Sequence, residues 1–129
     1  MAATPPVATR AIQFFRLLDA KDETALRAQL SEDPQTTDEI TRGWLRGRAA
    51  LEAYFVENLP RITEIHSLID EVDVRRWGDV EVETFVLRQG YVYDGTRYDI
   101  EAPTTMIWRR EGETWKLALM HSIPLPPAT

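Results

Sequence analysis

The chain contains no cysteine, which excludes disulfide bonds, thiolate metal ligands and a cysteine nucleophile. It contains no apolar run of roughly 18 residues, the length that a transmembrane helix requires. Its 15 basic residues are outnumbered by 21 acidic ones, giving a net charge of −6, and no basic cluster stands out. Nucleic acid and membrane are therefore not expected partners.

Histidine is also scarce, because His66 and His121 are the only two. They lie far apart in the chain, and neither has the spacing of a metal-binding motif. The sequence lacks a glycine-rich phosphate loop and a Gly-x-Ser-x-Gly nucleophile motif. We therefore predict neither a metal nor a cofactor.

The length of 129 residues fits one domain with its own hydrophobic core. We predict a single domain over residues 1–129, with tails at 1–6 and 124–129. The first six residues lack the basic segment and apolar run of a signal peptide, which predicts a cytoplasmic protein.

Apolar residues recur at helical spacing in the first half of the chain. Proline and glycine residues and an Asp22 cap divide this half into segments. The predicted helices span about 5–20, 22–33 and 48–59. Between the second and third helices, the polar segment from Gln35 to Gly47 predicts a short strand and a loop.

After Pro60 the apolar residues alternate, as they do in strands. Three turn signals divide the remaining chain into four long antiparallel strands. These signals are Trp77-Gly78-Asp79, Asp94-Gly95 and Glu111-Gly112. Helices followed by an antiparallel meander predict an α+β fold.

Two-residue turns at these three places predict which side chains share the sheet face that meets the helices. The predicted rows are Asp70, Leu87, Ala102 and His121; Val72, Phe85, Thr104 and Leu119; Arg76, Glu81, Trp108 and Trp115; and His66, Tyr91 and Tyr98. Pro103 cannot donate a ladder hydrogen bond, so a bulge there would exchange the two faces.

Two segments within this order carry a resemblance to a known superfamily. They are Gly47-Arg48-Ala49-Ala50-Leu51 and the C-terminal Gly112-Glu113-Thr114-Trp115-Lys116-Leu117-Ala118-Leu119-Met120-His121-Ser122. Over about residues 7 to 123 the chain resembles the SnoaL-like branch of the nuclear transport factor 2-like superfamily. The resemblance implies a cone-shaped half-barrel, in which N-terminal helices pack on a strongly bent, mainly antiparallel sheet and enclose a pocket. It also implies a homodimer through the outer sheet face.

Ketosteroid isomerases of this superfamily provide a comparison for the pocket. The resemblance places Asp38 at the position of their general-base carboxylate and His121 at a pocket-lining aromatic position. Phe14 and Thr104 replace their tyrosine and protonated aspartic acid, so their oxyanion hole is missing. His121 can transfer a proton near neutral pH, and Asp70 is its predicted neighbour.

The candidate acid/base residues are therefore His121, Asp38 and Asp70, and each also has a structural interpretation. Asp38 is more typical of a turn or cap residue than of a base, His121 also fits a histidine bonded to a carbonyl group or to Asp70, and Asp70 also fits a solvated charge. The predicted substrate-binding residues are Phe14, Trp44, Tyr54, Phe85, Tyr91, Tyr98, Thr104 and Leu119. Of these, Trp44 is a candidate pocket lid, and Tyr91 and Tyr98 also fit a cross-strand aromatic pair.

Two functions remain open at this point. The first is an isomerase, cyclase or dehydratase that transfers a proton on a small apolar carbonyl-type substrate without metal or cofactor. The second is a non-catalytic, ligand-binding or accessory homodimer that holds a small apolar or aromatic molecule. In either case, we expect the outer face of the C-terminal hairpin to contact the partner through Thr105, Ile107, Ala118 and Met120.

Overall fold

The computed structural model of the chain describes residues 9–38 and 42–124. The helices are α1 (Thr9–Asp19), α2 (Glu23–Ala28) and α3 (Arg48–Asn58), and a 3₁₀ turn, Leu59–Arg61, follows α3. The strands are β1 (Leu30–Asp38), β2 (Gly43–Arg46), β3 (Ile62–Trp77), β4 (Val80–Tyr93), β5 (Thr96–Glu111) and β6 (Thr114–Ser122). The predicted α+β class is confirmed. The predicted start of the first helix and both tails, apart from Pro124, lie outside the described residues.

The described strands form one sheet in the order β2-β1-β6-β5-β4-β3. The predicted four-stranded meander corresponds to β3 through β6, whose neighbours are antiparallel. The N-terminal half adds the antiparallel pair β1 and β2, and β1 runs parallel to β6. The sheet is therefore mainly antiparallel, with one parallel contact.

The prediction that the second helix continues to Pro34 is wrong. The helix ends at Ala28, and β1 begins at Leu30, which pairs with Leu117 of β6. Leu26 and Leu30 have helical spacing and both are buried, but Leu30 reaches the core from a strand. Pro34 lies where the β1–β6 register shifts, so its missing N–H is tolerated.

Local sequence signals account for the helix boundaries. The Asp22 side chain accepts a hydrogen bond from the Ala25 amide at 3.1 Å, as an N-cap does. Gly47, at the start of α3, has φ +89°, a conformation that L side chains rarely adopt. Within the described part of the chain, no helix is long and apolar enough to cross a membrane.

The hydrophobic core lies between the helices and one face of the sheet. Residues from all three helices and from four of the strands contribute to it. Its buried members are Ala11, Phe14, Phe15, Leu26, Leu30, Leu51, Phe55, Leu59, Phe85, Leu87, Met106, Trp108 and Leu117. We call the sheet surface that meets this core the inner face, and the opposite surface the outer face.

The predicted β4–β5 register is confirmed. Pairing runs without a shift from Val80 opposite Arg109 to Tyr93 opposite Thr96, and it passes through Pro103. The two-residue turns at Gly78-Asp79 and Asp94-Gly95 are also present. This continuous register fixes which side chains of β4 and β5 point into the core.

The predicted rows are wrong where they extend to β6. The turn consists of Gly112 and Glu113, and Ala118 is an extra residue between the paired Leu117 and Leu119. Because one extra residue exchanges the faces, Met120 turns toward the core and Leu119 turns to the outer face. Met120 therefore cannot belong to an interface on the outer face, and Ala118 is the extra residue of the bulge rather than part of a regular outer row.

A second irregularity, in β3, breaks the predicted rows on the other side of the meander. Arg76 pairs with Glu81 as predicted, but the register shifts between Asp70 and Asp73, where Glu71 has φ 54°. Beyond the shift, Ile69 packs on the core, and Asp70 is exposed opposite Val86. The bulge therefore turns Asp70 to the outer face.

Arg48 provides a test of how the N-terminal half is attached to the sheet. Its guanidinium donates to the carbonyl oxygens of Leu30 at 2.9 Å, Ser31 at 3.2 Å and Arg27 at 3.1 Å. Arg48→Ala should lower the free energy of unfolding by about 2–3 kcal/mol, because several acceptors lose a charged donor. Urea denaturation measures this loss.

The matched control is Arg75→Ala, which removes an exposed ion pair with Asp73 on β3. We expect it to change stability by less than about 0.5 kcal/mol. Equal losses in the two variants would contradict the role given to Arg48.

Candidate acid/base site

The structure does not bring the three predicted acid/base residues together. Asp38 is buried at the end of β1, with 4% of its surface exposed. His121 pairs with Thr105 and lies on the outer face, where its ring stacks on Trp44 at a centroid distance of 5.7 Å. Asp70 is exposed on the outer face, 3.9 Å from Arg88. The predicted row joining Asp70 to His121 is therefore wrong, because the bulges in β3 and β6 displaced both ends.

The predicted substrate-binding residues are similarly divided. The core-facing members are Phe14, Tyr54, Phe85 and Thr104, and Tyr91 is also buried. Trp44 and Tyr98 are exposed, and Leu119 lies on the outer face. Tyr91 and Tyr98 form a stacked cross-strand pair with centroids 5.4 Å apart. Ligand binding by these residues remains a prediction.

A pair of carboxyl groups on β4 is the chemically most unusual feature of the inner face. Glu81, Glu83, Phe85 and Leu87 alternate along the strand, and all four are buried. Glu81 is 6% exposed and Glu83 is fully buried. Acidic residues are rarely buried to this extent unless they are paired, so each of the two requires a physical explanation.

Glu81 is paired with a cation from the first helix. An Arg10 guanidinium nitrogen lies 2.5 Å from a Glu81 carboxylate oxygen. The same guanidinium lies 4.7 Å from the ring centroid of Trp115, and Arg76 lies 4.6 Å from that ring. Cations placed on an indole ring in this way are stabilised by its π electrons. Arg10 is partly exposed, so this bridge forms the solvent-facing side of the site.

Glu83 has no comparable partner among residues 9–38 and 42–124. Its carboxylate oxygens accept no hydrogen bond of standard geometry there, but the Trp108 indole N–H and the Ala11 amide lie close enough to favour its ionised form. Glu83 pairs with Met106 on β5, and Phe14 packs edge-on against Trp108 at 6.5 Å. A carboxyl group without an ion pair in those ranges and an indole N–H donor thus lie beside each other in apolar surroundings.

This burial raises the pKa of Glu83 from 4.5 to about 7. The largest cause is desolvation, which disfavours the charged carboxylate, and the negative charge of Glu81 adds to it. The Ala11 amide, the Arg10 charge and the Trp108 indole act in the opposite direction and only partly offset these effects. Near neutral pH, Glu83 can therefore either donate or accept a proton, as a general acid or base must.

Sequence reasoning placed Glu81 correctly on the inner face but did not single out Glu83. The available signal was the alternation of a strand, in which side chains two residues apart point to the same face. Glu83 lies two residues from Glu81 and two from Phe85. An inward Phe85 therefore implied an inward carboxyl group at position 83. Within the described ranges, no group of three His, Asp or Glu side chains converges as a metal site would require.

The raised pKa of Glu83 predicts a specific dependence of stability on pH. Between pH 4.5 and about 7 the unfolded chain loses this proton while the folded chain retains it. The contribution of Glu83 to stability is therefore full below pH 4.5 and falls as the pH rises to about 7. Relative to Glu83→Gln, the wild-type free energy of unfolding should decrease by about 3 kcal/mol across this range.

Denaturant titrations of both proteins at several pH values measure this difference. Glu101→Gln, a change at an exposed position, serves as the control for loss of one carboxyl group. A difference between the wild type and Glu83→Gln that does not vary with pH would contradict the assignment.

Comparison with known proteins supports the fold of the chain but does not identify its function. No protein-family model matches the chain, and no curated protein matches its sequence. A dehydratase candidate of the NTF2-like family from Streptomyces avermitilis superposes with a TM-score of 0.82 at 15% identity, covering 94% of this chain and 95% of its own. A ketosteroid isomerase-like protein from Erwinia carotovora atroseptica gives 0.77 at 15% identity, with the same coverage of 94% and 95%.

A third structure, the calcium/calmodulin-dependent protein kinase II hub of S. rosetta, gives a TM-score of 0.74 at 16% identity and covers 97% of this chain and 100% of its own. All three identities are below the level at which function can be transferred, and one fold commonly hosts unrelated functions. The predicted cone-shaped arrangement of helices on a bent sheet is confirmed, and the chain has the NTF2-like fold.

Proposed function

We propose that this chain binds a small apolar carbonyl-type molecule and transfers a proton on it, with Glu83 as the acid/base group. The observation that carries the proposal is the fully buried Glu83 carboxyl group, which forms no ion pair within the described residues and lies beside the Trp108 N–H. The membership of the SnoaL-like branch inferred from the sequence remains part of this proposal.

The proposed chemistry follows from the Glu83 carboxyl group and the Trp108 N–H. The ionised Glu83 carboxylate accepts a proton from the carbon next to a carbonyl group, and the electron pair moves toward the carbonyl oxygen. The Trp108 N–H donates a hydrogen bond to that oxygen as its negative charge develops. The protonated Glu83 then returns the proton to the substrate, so isomerisation leaves the enzyme unchanged. An indole N–H thus supplies a donor where Phe14 and Thr104 depart from the isomerase pattern.

The surroundings of Glu83 favour an uncharged substrate. Met106 pairs with Glu83 across the strands and the Ala11 amide lies near its carboxyl group, and both residues belong to the buried apolar core. A charged ligand would lose its hydration there without gaining a partner. The ketosteroid isomerase-like protein and the dehydratase candidate have the same fold, which is compatible with carbonyl chemistry. The non-catalytic alternative uses the same contacts without proton transfer.

Asp38 is retained as a second acid/base candidate, because it is buried at the end of a core-facing strand. His121 and Asp70 lie on the outer face and have no role in this site. Their predicted catalytic roles would require a separate site on that surface.

We also propose that the chain forms a homodimer through the outer face. Val82, Ile107 and Leu119 form a continuous cross-strand row there, and each is only partly buried in the single chain. Charged residues flank this row, namely Arg75, Asp73, Arg109 and Lys116. An apolar stripe with a polar border is typical of an interface, and hub and association domains have the same fold.

Proton transfer can be tested by deuterium exchange. Small cyclic ketones incubated with the protein in D₂O should exchange the hydrogens next to the carbonyl group, as measured by mass spectrometry. Glu83→Gln should reduce this exchange by about 100-fold or more, because it removes the base. Trp108→Phe should reduce it by roughly 100-fold, because it removes the donor to the oxygen.

Glu101→Gln is the control for charge and should exchange at the wild-type rate. Ketone binding, seen as a thermal shift, without any exchange would favour the non-catalytic alternative. Exchange that persists undiminished in Glu83→Gln would remove Glu83 from the reaction.

The dimer can be tested by sedimentation at micromolar concentration. The wild type should sediment as a dimer, and Ile107→Asp should sediment as a monomer, because it places a charge in the apolar row. Val56→Asp, at a 58% exposed position on α3, should leave the dimer intact. A monomeric wild type would rule out the proposed interface.

A further inference from the structure

We infer that Glu81 is a positioning residue that sets the proton affinity of Glu83, and that Arg10 of α1 in turn balances the charge of Glu81. The inference rests on the proposed acid/base function of Glu83 and deepens it. The experiment that tests it measures the titration midpoint of Glu83, and its result does not depend on whether the protein catalyses a reaction.

The geometry of β4 brings the two carboxyl groups onto one face. Residues two apart on a strand point the same way and are about 7 Å apart along it. Both side chains are buried, so the field between them passes through the protein interior, where charges interact more strongly than in water. A negative charge on Glu81 therefore disfavours a second negative charge on Glu83.

The positive charge of Arg10 offsets part of the electrostatic effect of Glu81 on Glu83. Arg10 and Glu81 form an ion pair at 2.5 Å, and the stacking of Arg10 on Trp115 holds the guanidinium in this position. The positive charge of Arg10 favours ionisation of Glu83, whereas the negative charge of Glu81 opposes it. The two neighbours thus act on Glu83 with opposite signs.

The other elements around Glu83 add little titratable charge. Arg76 of β3 lies opposite Glu81 in the strand register and places its guanidinium over Trp115. From β5 and β6 come the indole rings of Trp108 and Trp115, which do not titrate. Within the described residues, Glu81 and Arg10 are the charges that act on Glu83.

Helix α1 couples this balance to the packing of the fold. Its C-terminal residue Asp19 accepts hydrogen bonds from the Ser67 amide at 2.9 Å and hydroxyl at 2.7 Å, which attach that end of the helix to β3. Toward the other end, the Arg10–Glu81 pair and the Ala11 amide near Glu83 link the helix to β4. The position of α1 therefore bears directly on the proton affinity of the site.

The experiment is a ¹³C NMR titration of the glutamate carboxyl groups, with Glu83 assigned by its loss in Glu83→Gln. Glu81→Gln should lower the midpoint of Glu83 by about one pH unit, because a like charge is removed. Arg10→Gln should raise it by about the same amount, because the balancing charge is removed. The Arg10→Gln/Glu81→Gln double variant should fall between the single variants.

Two further variants separate this role from a purely structural one. Arg10→Lys retains the positive charge and should leave the midpoint close to the wild-type value. Arg16→Gln, at an exposed position on α1, should not change it. A structural ion pair would shift the midpoint in the same direction in Glu81→Gln and Arg10→Gln, and that result would overturn the inference.

The outcome is distinguishable from that of the proposed function. Opposite shifts without ketone exchange would support the positioning role and contradict proton transfer. Exchange with equal shifts in both single variants would support proton transfer and contradict the positioning role. If Arg10→Gln does not fold, Glu81→Gln and Arg10→Lys still decide the question. A lower midpoint in Glu81→Gln with an unchanged midpoint in Arg10→Lys would support the positioning role, and an unchanged midpoint in Glu81→Gln would contradict it.

Discussion

The burial of the Glu83 carboxyl group without an ion-pair partner among the described residues is the constraint on which this account depends. Burying a carboxylate without compensation is costly, and the chain reduces the cost by letting the group retain its proton up to about pH 7. The continuous β4–β5 register leaves this side chain no other direction, because it also fixes the inward position of Phe85 and Leu87. The pairing that gives the sheet its core thus also places an acid inside it.

The contrast between the two neighbouring acids shows how position decides chemical character. Glu81, nearer the solvent-facing side, is paired with Arg10 and resembles an ordinary structural ion pair. Glu83, two residues further along, forms no ion pair within the described residues, although the Arg10 charge favours its ionised form. Pairs of titratable groups with different environments are a frequent arrangement in acid/base sites. The fold itself does not require this difference, since one fold hosts many sites.

The sequence predicted the parts of the structure that depend on local signals. Asp-Gly at 94–95 and Gly-Asp at 78–79 determined the turns, and these turns determined the β4–β5 register and the inner position of Glu81. The predictions from the sequence were wrong where a single extra residue in a strand turns the following side chains to the opposite face of the sheet. The bulge at Ala118 moved His121 outward, because a bulge has no distinctive signature in an alternating apolar strand.

The candidate site was harder to predict than the fold for a related reason. Glu83 lies in a run of alternating charged and apolar residues that is typical of a half-solvated strand, and only the cover supplied by α1 makes the charged side the buried one. Whether such a face is covered depends on contacts distant in sequence, such as Arg10 to Glu81. His121 and Asp38 were chosen from their positions in the superfamily resemblance and in the predicted register, whereas Glu83 is distinguished by its burial without an ion pair among the described residues.

The most direct test of the central claim is infrared difference spectroscopy of the wild type against Glu83→Gln at a series of pH values. A protonated carboxyl group in an apolar environment has a C=O stretching band that is separate from the bands of ionised carboxylates. We predict that this band is present in the wild type at pH 6, is absent from Glu83→Gln, and disappears from the wild type as the pH rises through about 7. A wild-type spectrum at pH 6 without the band would contradict the account.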